Sequence, residues 1–222
     1  MSELLETIEI QTGDEPDAAV VWLHGLGADG NDFVPIVNEL DLPAGLALRF
    51  VFPHAPMMPV TLNNGYVMRA WYDVSFDGVQ KRPDARGIRA SQAAIERLIA
   101  REKARGVESR RIVLAGFSQG GAVTLQTGLR HLETLAGLMV LSSYLPLAET
   151  LADERSSANR ATPIFMAHGG EDPVIDIELA ERSVAQLQAL DYRVEWHEYE
   201  MPHSVCAQEI ADIGEWLRKV LA

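Results

Sequence analysis

A single cysteine among 222 residues leaves no partner for an internal disulfide and excludes a cysteine-rich metal site. Basic residues are scarce: 19 Lys and Arg stand against 32 Asp and Glu, for a net charge of −13. Nucleic-acid binding and docking on anionic membranes both need clustered cations, so neither is expected. The most apolar stretch, residues 136–147, is too short to span a bilayer and carries Ser142, Ser143 and Pro146, so no stable membrane insertion is expected. Residues 1–10 lack a basic start followed by an apolar run. No secretory signal is read there, and a cytoplasmic location is expected by default. Repeats, low-complexity tracts and linker-like shifts are missing as well. The composition, 47% hydrophobic and 23% charged, is that of a globular protein. A chain this long buries about 70% of its unfolded surface, so its core needs no staple. One domain over residues 1–222 is expected.

Short apolar runs alternate with longer helical patterns. The runs at 7–11, 20–24, 47–52, 111–115, 137–141, 164–168 and 193–199 read as strands. Several are almost continuously apolar, as in strands covered on both faces. Residues 87–103 place Ile88, Ile95, Leu98 and Ile99 on one helical face, with Gly106 as a stop. Residues 206–221 carry a stripe of Cys206, Ile210, Ile213, Leu217 and Val220, which makes Cys206 a small core residue rather than a reactive thiol. The expected fold is α/β, a mostly parallel sheet of about seven strands with helices on both faces. Function in such sheets gathers at the carboxyl ends of the strands. Residues 53–83 show little periodicity and read as a long loop rich in Pro, Met and aromatics. A loop this long is usually functional, and Met68, Trp71 and Tyr72 are its candidates for lining a substrate pocket.

Gly116-Phe117-Ser118-Gln119-Gly120 follows a strand and opens a helix, the context of a nucleophile elbow. The glycines allow strand and helix to approach closely, and the turn lifts the Ser118 hydroxyl above the sheet. A serine nucleophile needs a general base, and the base needs an orienting acid. With such an elbow the chain order is serine, acid, histidine. Only His197 and His203 come late enough. His197 lies within a strand pattern and reads as structural, whereas His203 lies past the strand end and reads as the base. Asp172, just past the strand 164–168, is the acid; Asp176 reads as a helix N-cap, and Glu171 would need a different loop path. The oxyanion donors expected are the backbone N–H groups of Gln119 and Leu26. No metal and no cofactor enter this chemistry.

Residues 25–30 also satisfy G-x-G-x-x-G after a strand and before a helix, which supports a rival reading as a dinucleotide-binding protein. The acidic residue needed about 20 positions on is missing, and Arg49 is the only charge there, which leaves an NADP variant. That rival leaves Ser118, Asp172 and His203 unexplained. A non-catalytic binding module is opposed by the intact set of three.

The segments Trp22-Leu23-His24-Gly25-Leu26-Gly27-Ala28-Asp29-Gly30, Phe52-Pro53-His54-Ala55-Pro56, Trp71-Tyr72-Asp73, the elbow with Gly121, residues 168–173 and Pro202-His203 resemble the phospholipase/carboxylesterase family of α/β-hydrolases. That family includes bacterial carboxylesterases and acyl-protein (lysophospholipid) thioesterases. The resemblance implies a serine carboxylesterase without cofactor, with Ser118, Asp172 and His203 on the triad positions and Leu26 and Gln119 on the oxyanion donors. Its substrate would be a small ester of short to medium acyl length, or alternatively an acyl thioester or lysophospholipid. Some relatives pair, so a monomer or homodimer is expected. Asn63-Asn64-Gly65 and Arg69 depart from the family pattern of Asn-Gly-Gly and of a proline before x-Trp, and both departures fall in the long loop.

Overall fold

The computed structural model describes residues 4–77 and 80–222. In chain order come β1 (Thr7–Gln11), β2 (Ala18–Leu23) and β3 (Leu48–Pro53), with a short 3-10 helix at Val34–Glu39 between the last two. Two strand pairs follow, β4 (Met57–Val60) with β5 (Tyr66–Arg69) and β6 (Val74–Asp77) with β7 (Gln80–Pro83). Then come α1 (Ala85–Ala104), β8 (Ile112–Phe117), α2 (Gln119–Gly128), β9 (Gly137–Leu141) and α3 (Ala148–Glu154). The chain continues with β10 (Ile164–Gly169), α4 (Ile177–Ala189), β11 (Val194–Tyr199) and α5 (Ala207–Val220). The central sheet has seven strands in the order β1-β3-β2-β8-β9-β10-β11, parallel except for the antiparallel edge strand β1. All seven expected strands are in it, each within a few residues of its expected bounds.

Two apolar layers sandwich this sheet. On one face α1, α2 and α4 bury Ile95, Leu98, Val123, Leu125 and Leu187 against Val21, Leu114 and Met166. On the other, α5 and the 3-10 helix bury Ile213, Trp216, Leu217, Ile36 and Leu40 against Val20, Phe50 and Phe165. Neighbouring strand residues therefore serve opposite cores, which is why the central strands read as unbroken apolar runs. Helix α1 starts where Asp84 accepts hydrogen bonds from the N–H groups of Arg86 and Gly87. It stops before Gly106, whose φ of 98° continues no helix.

Three expectations change. Residues 53–83 are not a structureless loop, for they hold the pairs β4–β5 and β6–β7. The turn of β4–β5 passes through Asn64 and Gly65, with φ of 56° and 76°, so asparagine serves where the family pattern has glycine. Cys206 is not a core residue: α5 begins at Ala207, so Cys206 is its half-buried N-cap and the apolar stripe starts at Ile210. The 25–30 loop leads into turns and a 3-10 helix rather than an α-helix. A dinucleotide fingerprint needs that α-helix N-terminus to meet the pyrophosphate, so the rival reading fails.

Glu209, in the first turn of α5, is wholly buried. Burial pushes its carboxyl up to about 8; the Cys206 N–H pulls it back, and the Asp212 charge adds to the rise. A carboxyl that holds its proton more tightly folded than unfolded favours the fold below its unfolded value of 4.5, and that advantage disappears as pH rises through about 8. Calorimetry should therefore show stability falling by a few kcal/mol between about pH 5 and pH 8, and Glu209→Gln should flatten that fall. An unchanged slope in the variant would clear Glu209 as its source.

Candidate active site

The site is built at the carboxyl ends of β2, β8, β10 and β11. Strand β8 turns into α2 through Ser118 alone, at φ 54° and ψ −120°. The turn is held by Ser118 N–H donating to the Leu141 carbonyl (2.9 Å) and by the Ser143 hydroxyl donating to the Ser118 carbonyl (2.6 Å). A Cβ on Gly116 would lie 2.3 Å from the Gly120 carbonyl, and one on Gly120 would lie 2.4 Å from the Leu23 carbonyl oxygen. Side chains at these two positions would push α2 off the sheet. Ser118 itself is nearly buried.

His203 Nε2 is 3.0 Å from Ser118 Oγ, and His203 Nδ1 is 2.6 Å from Asp172 Oδ2. The structure thus brings the three residues together in one line. His203 lies three strands away from β8, and reaches it because the loop after β11 folds back over the loop after β10. At Gly169 the Met201 carbonyl oxygen comes within 2.2 Å of where a Cβ would be, so only glycine fits. The Phe117 ring packs against the His203 ring at 4.7 Å. Asp172 Oδ1 accepts from the N–H groups of Val174 (2.8 Å) and Ile175 (2.9 Å). Burial pushes the Asp172 carboxyl up, but the hydrogen bond with His203 and these N–H groups outweigh it and hold it below the ordinary carboxylate range. Asp176 caps α4 by accepting from Glu178 N–H. His197 lies elsewhere, stacked on Phe165 and Tyr199, with Nε2 3.0 Å from Glu195.

Of the two expected oxyanion donors, Leu26 lies in the loop after β2 and Gln119 is the first residue of α2, next to Ser118. The Leu26 loop is pinned at several points. Gly27 N–H donates to the Arg69 carbonyl (2.9 Å), and Gly30 N–H donates to His54 Nδ1 (3.1 Å). His24 Nδ1 donates to the Gly25 carbonyl (2.7 Å), and its Nε2 accepts from Ala55 N–H (3.1 Å). Burial holds the His24 ring below the ordinary histidine value, which keeps it in this neutral form.

Of the three pocket candidates, Met68 is half-buried beside this loop, its Sδ 3.6 Å from where a Cβ on Gly27 would be. Trp71 and Tyr72 are 2% and 1% exposed and belong to the core. Their backbone is clasped by the Gln119 side chain, whose Oε1 accepts from Trp71 N–H (2.9 Å) and whose Nε2 donates to the Tyr72 carbonyl (2.7 Å). The Trp71 indole N–H in turn donates to the His24 carbonyl (2.8 Å). A chain of buried hydrogen bonds therefore runs from the elbow through Trp71 to the Leu26 loop. The residue pattern marks this tie only through a glutamine, which carries both a donor and an acceptor, in the first turn of a wholly buried helix. A cleft of about 470 Å³ beside Tyr192, Arg193 and Trp216 opens at the amino ends of β10 and β11, the opposite end of the sheet from Ser118.

Among the described residues no group of three or more His, Cys, Asp and Glu is arranged to hold a metal ion, and no helix is long and apolar enough to cross a membrane. A mostly parallel sheet carrying a serine at a strained strand–helix turn defines an α/β-hydrolase. Over residues 5–221 the sequence matches the family described as Phospholipase/Carboxylesterase, and the chain belongs to that family. It is a hydrolase of ester bonds. It is 37% identical to acyl-protein thioesterase 1 of Mycosarcoma maydis over 98% of both chains. It is 38% identical to acyl-protein thioesterase 1 of Gibberella zeae over 92% of this chain and 91% of that one. The crystal structure of Zea mays acyl-protein thioesterase 2 superposes with a TM-score of 0.86 at 27% identity, over 98% of this chain and 99% of that one.

Trp71→Phe keeps an aromatic ring and deletes the N–H that holds the His24 carbonyl. We expect it to slow phosphonylation of Ser118 by a fluorophosphonate roughly tenfold, since one well-aimed oxyanion donor is worth more than that. Reaction at the wild-type rate would show that the Trp71 tie does not set the Leu26 loop.

Proposed function

We propose that the chain is a serine carboxylesterase that cleaves esters of short to medium acyl chains through an acyl-enzyme on Ser118. The observation that carries this reading is the unbroken line from Ser118 to His203 to Asp172, 3.0 and 2.6 Å long. On this reading His203 Nε2 takes the hydroxyl proton as Ser118 Oγ attacks the acyl carbonyl. The N–H groups of Leu26 and Gln119 hold the oxyanion, each worth about 3 kcal/mol in the transition state. His203 then gives the proton to the departing alcohol oxygen as the C–O bond breaks. Water repeats the cycle on the acyl-enzyme and restores Ser118. Asp172 stays ionised throughout and keeps the His203 Nδ1 proton turned toward itself, leaving Nε2 free to act as base. Met68 flanks the acyl side of the site, and the enzyme works in the cytoplasm as a monomer or homodimer.

A second reading, an acyl-protein thioesterase or lysophospholipase in the same site, is favoured by the relatives named acyl-protein thioesterase at 37% and 38% identity. The chemistry is shared and the leaving group differs. Hydrolysis of a p-nitrophenyl series from acetate to palmitate, with a long-chain acyl thioester in competition, separates the two. A peak at short chains supports the carboxylesterase; a peak at long chains with strong competition moves the assignment to the thioesterase. In either case Ser118→Ala or His203→Ala should lower kcat on the order of 10⁶-fold, and Asp172→Asn about 10⁴-fold. A Ser118→Ala enzyme with a tenth of wild-type activity would falsify the mechanism.

A further inference from the structure

His168 has no part in the chemistry above, yet it is wholly buried at the carboxyl end of β10, four residues before Asp172. Its Nε2 lies 2.9 Å from the Ile175 carbonyl oxygen. A carbonyl can only accept, so Nε2 carries the ring proton. The same Nε2 lies 3.3 Å from Asp172 Oδ2, the oxygen that engages His203. Nδ1 has no hydrogen-bond partner among the described residues. The backbone of Ile175 is therefore gripped on both sides: its N–H by Asp172 Oδ1 and its C=O by His168.

We propose that His168 is a positioning residue for the acid of the triad. Its Nε2–H anchors the 172–175 loop through the Ile175 carbonyl and leans its dipole on the Asp172 oxygen facing His203. This rests on the triad reading above. The N–H does two things there. It fixes the carboxylate in the rotamer that meets His203 Nδ1. It also shares the charge on Oδ2, so the carboxylate stabilises a protonated His203 less than an unshared one would. The charged and titratable groups around this point are Asp172 on the following loop, His203 from the loop after β11, the exposed Glu198 paired in register with His168 on β11, and the Ser118 hydroxyl beyond His203. On β11 an aromatic ring, Trp196, also stacks on His168 at 6.3 Å.

The test compares His168→Leu, which has no donor, with His168→Gln, whose amide nitrogen can donate where Nε2 does. Using p-nitrophenyl butyrate, His168→Leu should lose up to roughly tenfold in kcat, the scale of one buried hydrogen bond, with KM unchanged. The acid limb of its kcat/KM profile should move to higher pH, because an unshared carboxylate favours the protonated base. His168→Gln should recover most of both. Equal losses in the two variants, with the acid limb unmoved, would show that His168 merely fills space. Nitrogen-15 NMR of the wild type provides an independent arm if His168→Leu does not fold: a protonated Nε2 and a bare Nδ1 support the proposal, and the opposite tautomer overturns it. Ser118→Ala is assayed alongside. Residual activity there would unseat the triad itself, whereas Ser118-dependent turnover indifferent to His168 would sink only the role of His168.

Discussion

A strand has to become a helix at one residue, and that residue is Ser118. Its φ of 54° is one that a side-chain-bearing residue adopts only at a cost of about 1–3 kcal/mol. The surroundings leave it no alternative. Its N–H is taken by β9, its carbonyl by Ser143, and the two glycines let α2 start flush against β8 and β2. The result places a hydroxyl at the positive end of a helix, where developing negative charge is welcome.

Once that atom is fixed, the other groups have to come to it. Neighbouring strands lie about 4.8 Å apart, so the ends of β10 and β11 are roughly 10 and 14 Å from the end of β8. No side chain spans 14 Å. The loops after β10 and β11 close the gap by packing on one another at Gly169, which carries His203 back across the sheet. Asp172 needs less travel and is secured by the short turn through Val174 and Ile175. The sandwich of two apolar layers supplies the rigidity that such spacing needs, since close-packed cores transmit displacement rather than absorb it.

Much of this was legible in the residues themselves. The seven sheet strands announced themselves as apolar runs, because both of their faces are covered. Ser118, Asp172 and His203 could be chosen by chain order and by position just past strand ends. What escaped notice was of two kinds. The pairs β4–β5 and β6–β7 are short, and β4 contains Pro59, so neither a two-residue nor a helical period stands out. Helix α3 has only seven residues, too few to show a face. The second kind is long-range: the Gln119 clasp and the contact of His168 with Ile175 depend on which loops meet in space. Trp71 and Tyr72 illustrate the same limit. Their aromatic character suggested a pocket, and the fold used it to fill the core and to bind their own backbone to the elbow.

His24 meets both ends of the excursion between β3 and α1. Its ring nitrogen takes the N–H of Ala55 where the segment departs, and its carbonyl takes the indole of Trp71 where it returns. Residues 56–70 are thus bracketed by two contacts to one residue, with the Arg69 carbonyl tying their far end to Gly27 as well. Insertions, deletions or exchanges at the tip of the β4–β5 hairpin leave these anchoring contacts as they are. Length and sequence at the hairpin tip can therefore drift under little structural constraint, while the residues at its base, which hold the Leu26 loop, cannot.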